Sequence, residues 1–260
     1  MTVYSYSRLG TFETCPLKYR LAYIDRIPRA AEPVEAFLGS RFHEAMETLY
    51  ADLAAGPRPL DGVLAVFEER WKAAWHEGVV VARPGRTADD YRAMGRRFIE
   101  TYYRRHAPFT ESRVVGLEQR IDVILDPDGR YRIQGYIDRL AVAPDGTYEI
   151  HDYKTSSGLP RRREIEADRQ LGLYEIAVRS MWPDARDVVL VWHFVAFDRE
   201  LRSVRTDAQR EAVRRETMGL IDAIEATPPD GFRPRPSALC DWCSYQSLCP
   251  LKPGAGSAGG

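Results

Sequence analysis

Gly135-Tyr136-Ile137-Asp138-Arg139, followed after a turn by Ile150-His151-Asp152-Tyr153-Lys154-Thr155, reads as the two strands of a hairpin. Side chains alternate across a strand, so Asp152 and Lys154 share one face while His151 and Tyr153 take the other. With Gly146 in the left-handed position of a three-residue loop, pairing centres on Asp145 and sets Asp138 opposite Asp152. The two carboxylates then stand with Cβ atoms ~5 Å apart, which destabilises the ladder unless a cation joins them. A divalent metal is the natural cation. Hard oxygen ligands suit magnesium or manganese, which bridge to phosphate, polarise a phosphoryl oxygen and acidify a bound water. Lys154, on the same face, would orient that water or offset charge developing on the phosphate. Together these residues describe phosphodiester hydrolysis. Spacing alone leaves open a surface hairpin on which Asp138, Asp152 and Lys154 are ordinary exposed charges.

Outward from this hairpin the pattern is that of an α/β fold. Val114 to Leu125, Tyr131 to Val142 and Tyr148 to Lys154 are rich in β-branched and aromatic residues. The links Asp126-Pro127-Asp128-Gly129 and Pro144-Asp145-Gly146 make them an antiparallel three-stranded meander. A helix over about Arg162 to Met181, an apolar strand over Val188 to Phe197 and a partner over about Leu201 to Arg205 follow, then a helix over about Asp207 to Ala226. A strand, crossover helix and strand return the chain parallel to its start, so the sheet is mixed and covered by helices. Upstream, Leu38, Phe42, Ala45, Met46, Leu49, Tyr50 and Leu53 recur at helical spacing and stop near Gly56-Pro57. Helices over about Leu60 to His76 and Thr87 to His106, separated by Arg83-Pro84-Gly85, make a helical lobe at about 57–108.

The 260 residues, 44% hydrophobic and 29% charged, suit one domain over 1–253 with an appended module and a flexible tail at 254–260. No run approaches the ~18 apolar residues of a membrane span, and Met1 to Ser5 lacks a signal pattern, which places the protein in the cytoplasm. A net charge of -1 supplies no global attraction to nucleic acid, so DNA contact must come from local patches. Candidates are Arg161-Arg162-Arg163 and Arg92, Arg96, Arg97, Arg104 and Arg105, which also read as solvated helix faces paired with acids. No G-x-x-x-x-G-K-[ST] phosphate loop occurs, so any helicase is a separate partner.

Four cysteines occur, Cys15 near the start and Cys240, Cys243 and Cys249 spaced C-x2-C-x5-C near the end. In a reducing compartment this grouping argues for a metal before disulfides, and four thiolates suit zinc or an iron–sulfur cluster. A ligand so far in sequence from its partners is unusual for a zinc ribbon built from local knuckles.

Gly135-Tyr136-Ile137-Asp138 followed by Asp152-Tyr153-Lys154-Thr155 resembles the G-x-x-D and D-Y-K-T motifs of RecB-like members of the PD-(D/E)XK nuclease superfamily. The resemblance implies a restriction-endonuclease-like mixed sheet flanked by helices, with Asp138, Asp152 and Lys154 catalytic. Gly39-Ser40-Arg41-Phe42-His43 matches the family's G-x-x-x-H helix and maps His43 to a further metal ligand, a donor that manganese tolerates well. Gln170-Leu171-Gly172-Leu173-Tyr174 resembles the Q-x-x-x-Y motif, implying that Gln170 and Tyr174 stand beside the site. Glu118 falls on the strand where the family often has an acid ligand.

Ser5-Tyr6-Ser7-Arg8-Leu9 and Phe12-Glu13-Thr14-Cys15-Pro16 resemble the S-x-S-x-L…F-x-x-C-P motif of AddB-type and CRISPR-associated iron–sulfur nucleases. That resemblance implies a [4Fe–4S] cluster on Cys15, Cys240, Cys243 and Cys249, in a module of residue 15 and 237–251. The implied activity is a magnesium- or manganese-dependent deoxyribonuclease, an exonuclease on single-stranded DNA or DNA ends in repair and recombination. The same residues would serve a CRISPR-adaptation nuclease trimming spacer precursors. A non-catalytic DNA-binding subunit is the contrasting reading, and intact Asp138, Asp152 and Lys154 count against it.

Overall fold

The computed structural model describes residues 2–29, 31–51, 53 and 56–252; the tail expected at 254–260 lies outside the described residues. The chain opens with a short strand β1 (Val3–Tyr4), helices α1 (Tyr6–Thr14) and α2 (Pro16–Tyr19), and a π-helical turn (Arg20–Ile24). Strand β2 (Glu32–Pro33) then leads into the lobe: α3 (Val34–Ala51), α4 (Leu60–Ala74), β3 (Val79–Val80) and α5 (Ala88–His106). Thr87 and Asp90 cap α5 reciprocally, which is why this helix starts where its sequence pattern does. Helix α3 begins four residues before the predicted Leu38, because Val34 and Phe37 also bury in the lobe.

The meander follows as β4 (Arg113–Ile124), β5 (Arg132–Val142) and β6 (Tyr148–Lys154). Its second turn is the expected three-residue loop: the Ala143 N–H donates to the Thr147 carbonyl, and Gly146 is left-handed at φ 91°. The register is the predicted one, running from Val142↔Tyr148 to Arg139↔His151. Beyond it come α6 (Arg162–Glu166), α7 (Arg169–Met181), β7 (Val188–Phe194), β8 (Arg199–Ser203) and α8 (Asp207–Glu225).

Two predicted elements are shorter than expected. The helix over 162–181 is two helices, because the Asp168 carboxylate accepts the Leu171 N–H and starts α7 anew. The strand over 188–197 ends at Phe194 and tightens into a 3-10 turn over Val195–Phe197.

The six-stranded sheet runs β1-β5-β6-β7-β8, with β4 on the other edge of β5. The β6–β7 pair is parallel, as the crossover requires, and β7–β8 is antiparallel. Alternation along β6 divides two cores. Tyr148 and Ile150 pack with α7 and α8 residues such as Leu173, Ala177 and Ile221, whereas Tyr153 packs with Phe42, Phe98 and Tyr102 of the lobe. Among the described residues no helix is long and apolar enough to cross a membrane.

One buried charge ties α7 to α8. Glu175 has no exposure, and its Oε1 accepts from Arg179 Nε at 2.8 Å and Arg210 Nη1 at 2.9 Å. Glu175→Ala leaves Arg179 and Arg210 with only backbone carbonyls and, for Arg210, Asp207 as acceptors, and is expected to lower stability by roughly 3 kcal/mol. Urea unfolding of the two proteins measures this; an unchanged midpoint would show that water replaces the carboxylate at no cost.

Candidate active site

Strand alternation sets the first pair of groups. Lys154 Nζ donates to Asp152 Oδ1 at 3.0 Å, lies 2.8 Å from Oδ2, and donates to Gln170 Oε1 at 2.9 Å. Gln170 Nε2 in turn donates to the Tyr174 hydroxyl at 3.3 Å, one helical turn further along α7. Gly135 is what lets Tyr174 reach the sheet, since a Cβ there would lie 2.7 Å from the tyrosine ring.

The second group forms where β5 and β6 cease to pair. Past Arg139↔His151 the ladder stops, and Asp138 Oδ2 instead accepts the Tyr153 N–H at 2.8 Å. Its Oδ1 lies 3.5 Å from Nδ1 of His43 on α3. The His43 Nε2–H donates to the Tyr153 carbonyl at 3.0 Å, which fixes the ring and leaves Nδ1 to face the acids. Helix α3 comes this close with Gly39 against the residue that follows β6; a Cβ there would sit 3.2 Å from Thr155 Oγ1.

Between the pairs Leu117↔Arg139 and Gln119↔Ile137, Glu118 falls level with Asp138 and is left-handed at φ 42°. One ligand atom each from His43, Glu118 and Asp138 lie within 4.8 Å of one another. Two carboxylates and an imidazole fit a hard divalent ion with manganese-like tolerance for nitrogen. Asp152 stands outside this tight group, although the hairpin register brings it level with Asp138, because Lys154 holds its carboxylate.

Burial and mutual repulsion set the protonation of these groups. Burial pulls the His43 imidazolium down, but the hydrogen bond to and charge of Asp138, with Asp152 and Glu118 behind, push it up to about 9. Burial, then Asp138, raises Glu118 to about 7 against the pull of His43. Burial raises Asp152 to about 6, opposed by Lys154 and assisted by Asp138. Burial disfavours the Lys154 ammonium, yet Asp152 more than compensates and the pKa rises, so the lysine is a cation at neutral pH.

Space opens on both sides. A cavity of about 570 Å³ is lined by Gly39, His43, Glu44, Glu47 and Glu118, and one of about 450 Å³ by Lys154, Ser156, Glu164 and Asp168. Glu47 and Asp168 are residues that motif reading passed over. Asp168 carried a usable signal, an N-cap aspartate just before an apolar helical run; Glu47 carried none beyond lying one turn after His43. Arg161, Arg162 and Arg163 are exposed where α6 begins. The lobe arginines are largely paired: Arg92 and Arg96 with Glu68, Arg104 with Glu100, and Arg105 with Asp198.

The four cysteines are free and half-buried, and all four line one cavity of about 480 Å³. Cys15 Sγ accepts the Arg235 N–H at 3.4 Å and Cys240 Sγ the Ser237 N–H at 3.3 Å, so the end of the chain folds back on α1 and α2. No three of their sulfurs lie within 4.8 Å of one another.

Residues 3–250 match the family model of the PD-(D/E)XK nuclease superfamily, and the chain belongs to that superfamily. The gene 69 protein of Mycobacterium phage D29 is 26% identical, over 95% of this chain and 96% of its own length. A crystal structure of a candidate exonuclease from Eubacterium rectale shares the fold with a TM-score of 0.55 at 11% identity, covering 94% of this chain and 87% of the other.

An ion taken up by His43 and Glu118 must displace the protons that they hold up to about pH 9 and 7. Manganese affinity is therefore expected to rise between pH 6 and 9, with protons released on binding. Calorimetry in two buffers of different ionisation enthalpy measures the release. Affinity independent of pH across this window would exclude His43 and Glu118 as ligands.

Proposed function

We propose that the protein is a magnesium- or manganese-dependent deoxyribonuclease, an exonuclease acting on single-stranded DNA or DNA ends. The observation that carries this reading is the convergence of His43, Glu118 and Asp138 beside a buried Asp152–Lys154 pair, between two open cavities. His43, Asp138 and Asp152, with Glu118, are the groups to hold the ion. When bound, the ion supplies Lewis-acid polarisation of a phosphoryl oxygen and acidifies a water.

The chain's own residues do the rest. Lys154 stays cationic and offsets charge that builds on the phosphate, while Gln170, steadied by Tyr174, holds the ammonium in place. Exposed Arg161 and Arg163, with Arg162 between them paired to Glu166, supply phosphate contacts just beyond the Lys154 cavity. The ion-paired lobe arginines are less suited to that task. A cavity on each side of the reacting groups favours a strand threaded past them, which is the geometry of end-directed digestion; the resemblance of the Eubacterium rectale fold agrees with it. Repair and recombination, with a separate helicase opening the duplex, is the setting that such an activity serves.

The cavity among Cys15, Cys240, Cys243 and Cys249 is the proposed place for a [4Fe–4S] cluster. A cubane spreads its four thiolates wider than one ion does, which agrees with sulfurs that share a cavity without converging. The backbone N–H groups of Arg235 and Ser237 point at two of the sulfurs, and Lys18 and Lys252 line the same space. The cluster's role there is a staple between the two ends of the chain.

Manganese-supported digestion of end-labelled single-stranded DNA tests the activity. Asp152→Asn and Lys154→Ala are each expected to lose at least ~100-fold in rate, and closed circular single strands to resist. Digestion by Asp152→Asn at the wild-type rate would remove the nuclease assignment; rapid cutting of circles would remove only its exonuclease half. Anaerobically purified protein should carry iron and acid-labile sulfide in equal amounts. Stoichiometric zinc in a colourless protein would overturn the cluster.

A further inference from the structure

A second group of ligand-type side chains lies on the opposite face of β6 from Asp152. His106 ends α5, His193 lies on β7 and Glu200 on β8, and one ligand atom from each falls within 4.8 Å of the others. Both histidines are buried, at 8% and 3% exposure.

The surrounding hydrogen bonds decide which nitrogens carry protons. Arg139 Nη2, which can only donate, reaches His151 Nδ1 at 2.8 Å, so that nitrogen is an acceptor. His193 Nε2 lies 2.9 Å from the same Nδ1 and must therefore be the protonated nitrogen of its ring. The remaining nitrogen, His193 Nδ1, faces Glu200 Oε2 at 3.7 Å. The other Glu200 oxygen is taken by Arg202 Nε at 2.6 Å. In a neutral ring, then, a bare imidazole lone pair confronts a carboxylate lone pair, with His106 alongside.

We propose that His106, His193 and Glu200 form a second metal site, a structural one of the zinc class. Two imidazoles and a carboxylate are a borderline-soft set that suits zinc and disfavours magnesium. Both kinds of outer support that such ligands need are present: His193 donates its other N–H to His151, and Arg202 orients Glu200. The adjoining cavity, about 10 Å³ and lined by Tyr102, His106, His193 and Glu200 among others, has room for an ion or one water and excludes a nucleotide. The site joins the end of α5 to the β7–β8 edge, so a bound ion would clamp the lobe to the sheet, beside the Arg105–Asp198 ion pair.

Cobalt(II) is the probe, titrated into the full chain in excess magnesium so that the hard-ligand site on the other face is occupied. Wild type should develop ligand-field bands of nitrogen–oxygen coordination, without the intense charge transfer that the cysteine thiolates would add. Glu200→Gln and His106→Gln should weaken this binding roughly tenfold or more. Equal titration midpoints in all three proteins, or thiolate bands alone, would overturn the site. Thermal unfolding with zinc gives a second readout: Tm rises more in wild type than in Glu200→Gln. A zinc-induced rise equal in both would also overturn it.

Discussion

The constraint on which the rest of the structure depends is the burial of β6 on both faces. A strand clad on both sides cannot leave polar side chains to water, so each one must find a partner. On one face Asp152 is answered by Lys154 and, through it, by Gln170 and Tyr174. On the other, His151 is answered by Arg139 and His193. The period of two in the backbone therefore sorts the chemistry into two compartments a single sheet thickness apart.

Interrupted pairing opens one of those compartments. A ladder continuing through Asp138 and Asp152 would spend their backbone groups on each other. Here Asp138 captures the Tyr153 N–H with its side chain, and His43 takes the Tyr153 carbonyl, so both polar groups of one peptide position orient groups of the candidate site. Close approach at Gly39 and Gly135 allows helices from both sides to press on this gap. The consequence is a set of carboxylates that burial, with mutual repulsion behind it, lifts out of the usual range at Glu118 and Asp152.

Segments near the two ends of the described residues meet around the cysteines, and Glu13 beside them pairs with Arg169 of α7. Backbone N–H groups of the last segment reach Cys15 and Cys240, and the Leu17 N–H donates to the Arg233 carbonyl, tying α2 to the strand of chain that carries the later cysteines. Such long-range closure orders α1 and α2 against the sheet face that α8 also covers.

The amino-acid order by itself determined what is local: the alternation that pairs Asp152 with Lys154, the Gly146 loop that sets the hairpin register, and the four-residue spacing of Gln170 and Tyr174. These follow from backbone periodicity and turn geometry, which act over a few residues. Motif resemblance extended that reach to His43 and Glu118, but not to the distances among them. Only the tertiary structure decided that Asp152 stands apart from the tight ligand group, that Asp168 breaks one expected helix into two, and that His106, His193 and Glu200 meet at all. Their separation along the chain is the reason. Periodicity says which face a side chain takes, whereas the packing of α5 on β7 and β8 says which faces touch, and burial, which exists only in the folded chain, sets their charge.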